Sequence, residues 1–542
     1  REAEMEAAGI HGVELVVLVL LVLVVAFAAL AKRLQIPYPI ILVIGGLVLS
    51  LFPRGPHVEL DPELVFLVIL PPLLFSAAAV TPWRDFRYNL VSITGLAFGL
   101  VGFTVVGIAA ASRWILPGFN WRMGLVLGAV VSTTDAIAAT SIAHRLGLPK
   151  RIVDILEGES LVNDATGLLA LQITIALLVT GRTPSLFESA SELLYLVFGS
   201  IAIGLIVGKV IHVLELKIVD APIEITISLI APYFAYLAAE EARASGVMAT
   251  VACGLYLGHK SSLYLSRSAR LTGQAVWETL EFVLNGFVFL LIGIQLPYIL
   301  AGIRTHHLGG LLLLGLMFSG VVILLRLIWV YPGAVFSFFI RRRLLHHHES
   351  RPDAKSIFII GWTGMRGVVA LAAAISLPEL LDSGERFPER NVMIFLTFCV
   401  IFVTLVLQGL TLPSLIRRLG LAGAAGLNAE EEQARQEMVK AAIAYLENSR
   451  EDAEAEFAPV YDELVHTFRR RLNALESNHE AEPGARPQDY QRWRDVSKQV
   501  GAVQRATVLL LRSQNKINDE VMRKLERELD LNEARFAASD HV

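Results

Sequence analysis

From residue 13 to residue 416 the chain is a succession of apolar runs, and no other feature limits its fold so severely. A bilayer core of about 30 Å needs about 20 mostly apolar residues per helix, because irregular backbone facing lipid leaves N–H and C=O groups unpaired. On that rule the sequence predicts an all-α membrane protein with about thirteen segments. They run roughly over residues 13–31, 37–52, 63–80, 89–111, 123–146, 152–180, 192–214, 222–240, 245–258, 273–296, 308–340, 356–377 and 392–416. The ninth is short, and the eleventh is long enough to tilt or bend. No signal peptide with a cleavage site stands before the first run, which is therefore expected to be a span.

Charge divides the chain between two solvents. After Gly426, 40 of 116 residues are Lys, Arg, Asp or Glu; up to and including it, 58 of 426 are. The predicted organisation is an N-terminal extracellular segment (1–12), a membrane domain (13–420) and a helical cytoplasmic tail (421–542). Helical periodicity in Val503–Leu511, interrupted upstream by Pro483-Gly484, marks the tail as an appendage for assembly or regulation, with a regulatory ligand of its own as a further expectation. A net charge of −4 excludes a nucleic-acid binder that relies on a basic surface. Cys253 and Cys399 sit in apolar runs and cannot build a disulfide framework or a zinc site.

Basic loops stay on the cytoplasmic side. One alternate set of connections carries Lys32/Arg33, Arg84/Arg87, Arg145/Lys150/Arg151, Lys260/Arg267/Arg270 and Arg341/Arg342/Arg343 with Arg351/Lys355; the other has little beyond Arg54, Arg182, Arg243 and Arg304. With an odd number of spans, this places the N-terminus outside and the tail inside. An odd count also accommodates two inverted six-helix repeats plus one further helix, an arrangement seen in secondary transporters.

Ionisable residues at mid-span are expensive, so each marks a functional candidate. They are Asp135 in the fifth segment, Glu159 and Asp164 in the sixth, Glu278 and Glu281 in the tenth, Arg326 in the eleventh and Arg366 in the twelfth. At about 100° per residue Ser160 and Asp164 share a helix face, as do Glu159 and Asn163, whereas Glu159 and Asp164 lie about 140° apart. Asp164 can face a cavity while Glu159 points towards a basic partner, either Arg326 or Arg366. Hydroxyls, glycines and charge at mid-span of the fifth and twelfth segments predict local unwinding, tolerated at that depth only where it lines a cavity or is buried in protein.

Four motifs in order resemble the sodium/proton exchanger branch of the monovalent cation:proton antiporters, NhaP-type. They are Thr134-Asp135, the Gly158–Gly167 stretch with Asn163-Asp164, Arg326-Leu327-Ile328-Trp329-Val330-Tyr331-Pro332, and Gly364-Met365-Arg366-Gly367-Val368-Val369-Ala370-Leu371-Ala372. The ending Leu525-Glu526-Arg527-Glu528-Leu529-Asp530-Leu531 is similar to that of bacterial members. The resemblance implies thirteen helices with the fifth and twelfth broken and crossed, a mobile core domain, a dimerisation domain and a homodimer in the cell membrane. One departure is Ala136, where the family usually has Pro; it implies a crossover less sharply kinked.

The expected function is exchange of a monovalent cation (Na⁺, with Li⁺ and K⁺ as further candidates) for H⁺ by alternating access. Na⁺ prefers oxygen ligands, and burial of a carboxylate favours its protonated form, so one carboxylate can serve both ions in turn. Asp164 is the expected shared site, with Asp135, Ser160 and the Thr134 hydroxyl or carbonyl completing the oxygen shell. Asn163 stands where related electrogenic exchangers have a second Asp, which implies electroneutral 1:1 exchange. Glu159 reads as structural, Arg326 and Arg366 as neutralising buried acids, and Arg366 beside Gly364 and Gly367 also as offsetting the partial negative ends of the broken helices. Glu278 and Glu281 either line the pathway or are solvated near a helix end. His346-His347-His348 reads as a solvated run, and Pro71-Pro72 as a kink.

No cofactor is expected, and neither is enzymatic activity: Gly158-Glu159-Ser160 fails the nucleophile-elbow spacing at Val162, and no metal triad stands in the spans. The alternative is a proton-independent cation channel, which would need rings of acids or carbonyls rather than single charges.

Overall fold

The structure, a computed structural model, describes residues 2–52, 60–116, 118–180, 191–218, 220–301, 303, 308–343, 353–381, 385–423, 427–451, 458–476 and scattered positions from 496 to 529. The His346–His348 run, Pro483-Gly484 and most of the 525–531 motif lie outside the described residues. Two compact units divide the chain, Arg1–Ala424 and Ala425–Val542.

The first unit is helical nearly throughout. Its helices are α1 (Glu2–Leu34), α2 (Tyr38–Ser50), α3 (Pro62–Val80), α4 (Trp83–Ile115), α5 (Trp121–Val130), α6 (Ile137–Leu146), α7 (Lys150–Thr180), α8 (Ser191–Glu215), α9 (Ala221–Glu241), α10 (Gly246–Tyr264), α11 (Arg267–Ile294), α12 (Leu296–Ala301), α13 (Leu308–Arg343), α14 (Ala354–Trp362), α15 (Val368–Ile375) and α16 (Arg390–Leu419). Among the described residues nine helices are long and apolar enough to cross a membrane, and α2 and α5 are shorter apolar helices. The unit is a multi-pass membrane domain. α1 begins at Glu2, so the described part of the segment before its apolar run continues the same helix.

Local chemistry sets the helix ends. The Asn120 side chain accepts from the Met123 N–H at 2.9 Å and starts α5; Ser245 and Ser266 start α10 and α11 in the same way. α6 ends at Gly147, whose φ of 62° is open to glycine at no steric cost. Pro71 and Pro72 leave the preceding turn of α3 without its usual donors, and residues Val65–Ile69 adopt a wider turn. The Val68 carbonyl, which a residue other than Pro72 would have capped, accepts instead from the Tyr233 hydroxyl of α9 at 3.0 Å.

Burial is nearly complete along α15 and the first half of α16. Ala370, Leu371, Ala372 and Ala374 are fully buried, as are Met393, Leu396 and Val400. α1 and α13 turn Leu18, Val22, Leu312 and Leu316 outward, as helices solvated by lipid do. α2 and α11 cross in backbone contact: a Cβ on Gly46 would stand 2.3 Å from the Leu290 carbonyl oxygen, and one on Gly293 would stand 2.2 Å from that of Val43. Only glycine permits that approach, which holds Tyr38 of α2 against Phe282 of α11, their ring centroids 5.9 Å apart.

The second unit contains α17 (Leu427–Glu451) and α18 (Ala458–Glu476). They pair antiparallel over Val439, Ile443 and Val465, with Arg450–Asp462 and Arg469–Glu447 ion pairs at 2.9 and 2.6 Å.

Candidate ion-binding site

Two non-helical stretches, 131–136 between α5 and α6 and 363–367 between α14 and α15, meet inside the membrane domain. Their backbones touch: the Asp135 N–H donates to the Met365 carbonyl at 2.9 Å. A Cβ on Gly367 would stand 2.3 Å from Asp135 Oδ2, so this position needs glycine. Unpaired helix ends at that depth must be satisfied by protein. Arg366, 1% exposed, does much of this by donating from Nε to the Val131 carbonyl at 3.0 Å and from Nη1 to the Gly364 carbonyl. These carbonyls lie just past the C-terminal ends of α5 and α14, where the helix dipoles are negative. At the opposite end of the gap, the Ile137 N–H, the first of α6, donates to Asp135 Oδ1 at 2.8 Å.

α7 runs alongside. Gly167 allows the approach, since a Cβ there would stand 2.4 Å from Thr133 Cγ2. Ser160 Oγ donates to the Thr134 carbonyl at 2.8 Å and accepts from the Ala136 N–H at 3.3 Å. A Pro at 136 has no N–H, so Ala136 supplies a donor that the usual family residue lacks. Asn163 Nδ2 donates to Thr134 Oγ1 at 3.0 Å, and Thr134 Oγ1 to Glu159 Oε1 at 3.3 Å. Glu159 is paired with Arg326 through both carboxylate oxygens, one contact at 2.8 Å, and each side chain is 1% exposed. Of the two arginines left open by the sequence, the partner is Arg326, which also donates to the Ile360 carbonyl at 3.0 Å.

Asp164 differs from these. It is buried, and among the described residues no side chain or backbone N–H donates to it. Asp164, Asp135, Ser160 and Thr134 line one cavity of about 470 Å³. Glu278 and Glu281 of α11 line it too. So do residues that the sequence reading passed over: Tyr38, Phe282 and the His144/Glu157 pair, in contact at 3.3 Å. The signal for that pair was present in Gly147-Leu148-Pro149, a tight α6–α7 connection that folds 157 back onto 144. Asn163, Glu159, Arg326 and Arg366 do not line the cavity; they brace its wall from behind.

The sequence model described as "Sodium/hydrogen exchanger, transmembrane" matches residues 18–418. The chain belongs to the sodium/hydrogen exchanger family. An uncharacterized Na⁺/H⁺ exchanger of Mycobacterium tuberculosis is 32% identical, over 94% of this chain and 93% of its own. The Na⁺/H⁺ antiporter ApNhaP of Aphanothece halophytica is 32% identical over 72% and 71%. The solved structure of the sodium proton antiporter MjNhaP1 from Methanocaldococcus jannaschii has a similar fold, with a TM-score of 0.62 at 19% identity over 77% of this chain and 99% of that one. The NhaP-type assignment stands, and with it an antiporter of a family of cation/proton transporters, not enzymes. A family of exchangers does not favour the channel alternative.

Proposed function

We propose that this exchanger moves one monovalent cation against one H⁺ by alternating access, electroneutrally, with Asp164 as the shared site and Asp135, Ser160 and Thr134 as further oxygen ligands. One observation carries the reading: Asp164 is a buried acid that lines the cavity, and among the described residues it has neither an ion-pair partner nor a hydrogen-bond donor. Arg326 is spent on Glu159, and Arg366 donates to backbone carbonyls. An unpaired carboxylate at membrane depth is costly. A transported cation or a proton neutralises it in turn, and that alternation couples the two gradients. Asn163, turned towards Thr134, adds no second titrating acid.

The proposal extends to the organisation that the family resemblance and the charge pattern imply. Thirteen segments cross the cell membrane in two inverted six-helix repeats plus one; the fifth (α5, α6) and twelfth (α14, α15) are broken and cross. The N-terminus lies outside and the tail, from 421, in the cytoplasm. The working unit is a homodimer, and the tail takes a regulatory ligand.

Proteoliposomes loaded with a pH-sensitive dye test the exchange: imposed Na⁺, Li⁺ and K⁺ gradients should each be compared for proton flux. Net charge movement is the check on stoichiometry. A voltage-sensitive dye should report no potential during transport, and a potential that builds with flux would refute the 1:1 count.

Gly367→Ala tests the crossing. The added methyl displaces the Asp135 carboxylate, so the Na⁺ concentration for half-maximal flux should rise about tenfold, equivalent to about 1.4 kcal/mol. Unchanged Na⁺ dependence would remove Asp135 from the ligand set.

A further inference from the structure

A second cavity, of about 340 Å³, lies beside the first and shares Tyr38, Ser141 and Phe282 with it. Three helices end around it. Lys32 comes from the last turn of α1, Arg145 from that of α6 and Arg417 from that of α16, and no Asp or Glu is among its described lining residues. Among the described residues none of the three cations has an ion-pair partner, whereas nearby Lys150 is paired with Asp85. Arg145 is fixed in place. It donates to the Gln35 carbonyl at 2.9 Å and to Gln35 Oε1 at 3.0 Å, and the left-handed φ of 58° at Gln35 turns the chain between α1 and α2.

A cation in the last turn of a helix offsets the helix dipole, and basic residues gather on the cytoplasmic side. Those effects explain one cation at each helix end. They do not explain why three ends converge on one cavity that holds no acid, since like charges around a shared space repel. An anion among them removes that repulsion.

The cavity wall also indicates the source of the anion. Ala28, Ala31 and Lys32 of α1 line it, and Leu18, Leu21 and Val25 on the same side of that helix are 60%, 37% and 55% exposed. Space for a charged group is thus continuous with an apolar surface suited to acyl chains. Basic pockets between transmembrane helices on the cytoplasmic side take phosphorylated lipid head groups. We propose that Lys32, Arg145 and Arg417 bind the phosphate of an anionic phospholipid whose acyl chains lie along α1. Arg145 sits on the same helix whose first N–H donates to Asp135, so an occupant would bear on an element of the ion-binding site.

Native mass spectrometry of the full-length protein with phosphatidylglycerol, phosphatidylcholine or inorganic phosphate tests the site. The wild type should retain phosphatidylglycerol in preference to phosphatidylcholine. Lys32→Gln/Arg417→Gln should weaken that binding about thirtyfold, with an unchanged melting temperature in lipid-free detergent as the control for folding. Equal retention of the two lipids, or an undiminished preference in the double variant, would overturn the proposal. Saturable binding of inorganic phosphate without any lipid preference would overturn the assignment to lipid.

Discussion

Asp164→Asn is expected to reduce sodium-driven proton flux in proteoliposomes to that of protein-free vesicles, while the protein still folds. Asn matches Asp in shape but carries neither the charge that holds a cation nor a proton that titrates in this range. Both halves of the cycle therefore fail together. Folding survives for a reason visible in the site: no donor among the described residues depends on this carboxylate, so the substitution leaves no hydrogen-bond partner stranded. Removing an uncompensated buried charge should even raise the melting temperature slightly. Asp135→Asn should behave differently, because an amide oxygen can still accept from the Ile137 N–H. It should keep measurable exchange with weaker Na⁺ dependence. If Asp164→Asn instead retained full flux, the shared site would lie elsewhere, and Glu281 on the facing wall would be the next carboxylate to test.

The helical, membrane-spanning character was legible because hydrophobic length is a one-dimensional property, and a bilayer leaves few ways to satisfy a backbone. Helical angle went further: the separation of about 140° between Glu159 and Asp164 along α7 assigned them to different surroundings before any partner was known. Where the reasoning stopped is equally physical. The choice between Arg326 and Arg366 depends on how α13 and the 363–367 stretch stand around α7, which no local pattern encodes. Gly364 helps decide it, since a Cβ there would meet Arg326 Cδ at 2.1 Å; the guanidinium passes over a residue with no side chain to block it. Thr134 shows a similar limit. Its hydroxyl and carbonyl looked equally available in sequence, yet the hydroxyl belongs to the Glu159–Asn163 chain of bonds and the carbonyl accepts from Ser160. His144 and Glu157 were missed because each sits near a helix end that reads as solvated, and only the α6–α7 turn brings them to the same cavity.

The second large effect concerns the buried pair. Arg326→Met or Glu159→Gln alone should cost about 3–5 kcal/mol of stability, because each leaves its partner charged and unpaired at a site 1% exposed. The glutamate variant should be the worse of the two, because the Arg326 guanidinium cannot lose its charge and Glu159→Gln leaves it only neutral acceptors such as the Ile360 carbonyl. Combining Glu159→Gln with Arg326→Met removes both charges, so its cost should fall well below the sum of the singles, and the shortfall is the coupling energy. Melting temperature in detergent measures this cycle, and additive losses would show that the two residues are not a pair. Transport separates bracing from ligation. Thr134 hangs from Glu159 on one side and holds Ser160 on the other, so the double variant should regain stability without regaining normal Na⁺ dependence. Were Glu159 itself a cation ligand, Glu159→Gln would weaken Na⁺ dependence while leaving the melting temperature in place. The bidentate contact argues for the opposite order of effects: stability is lost first, and the ion-binding geometry shifts because its support has moved.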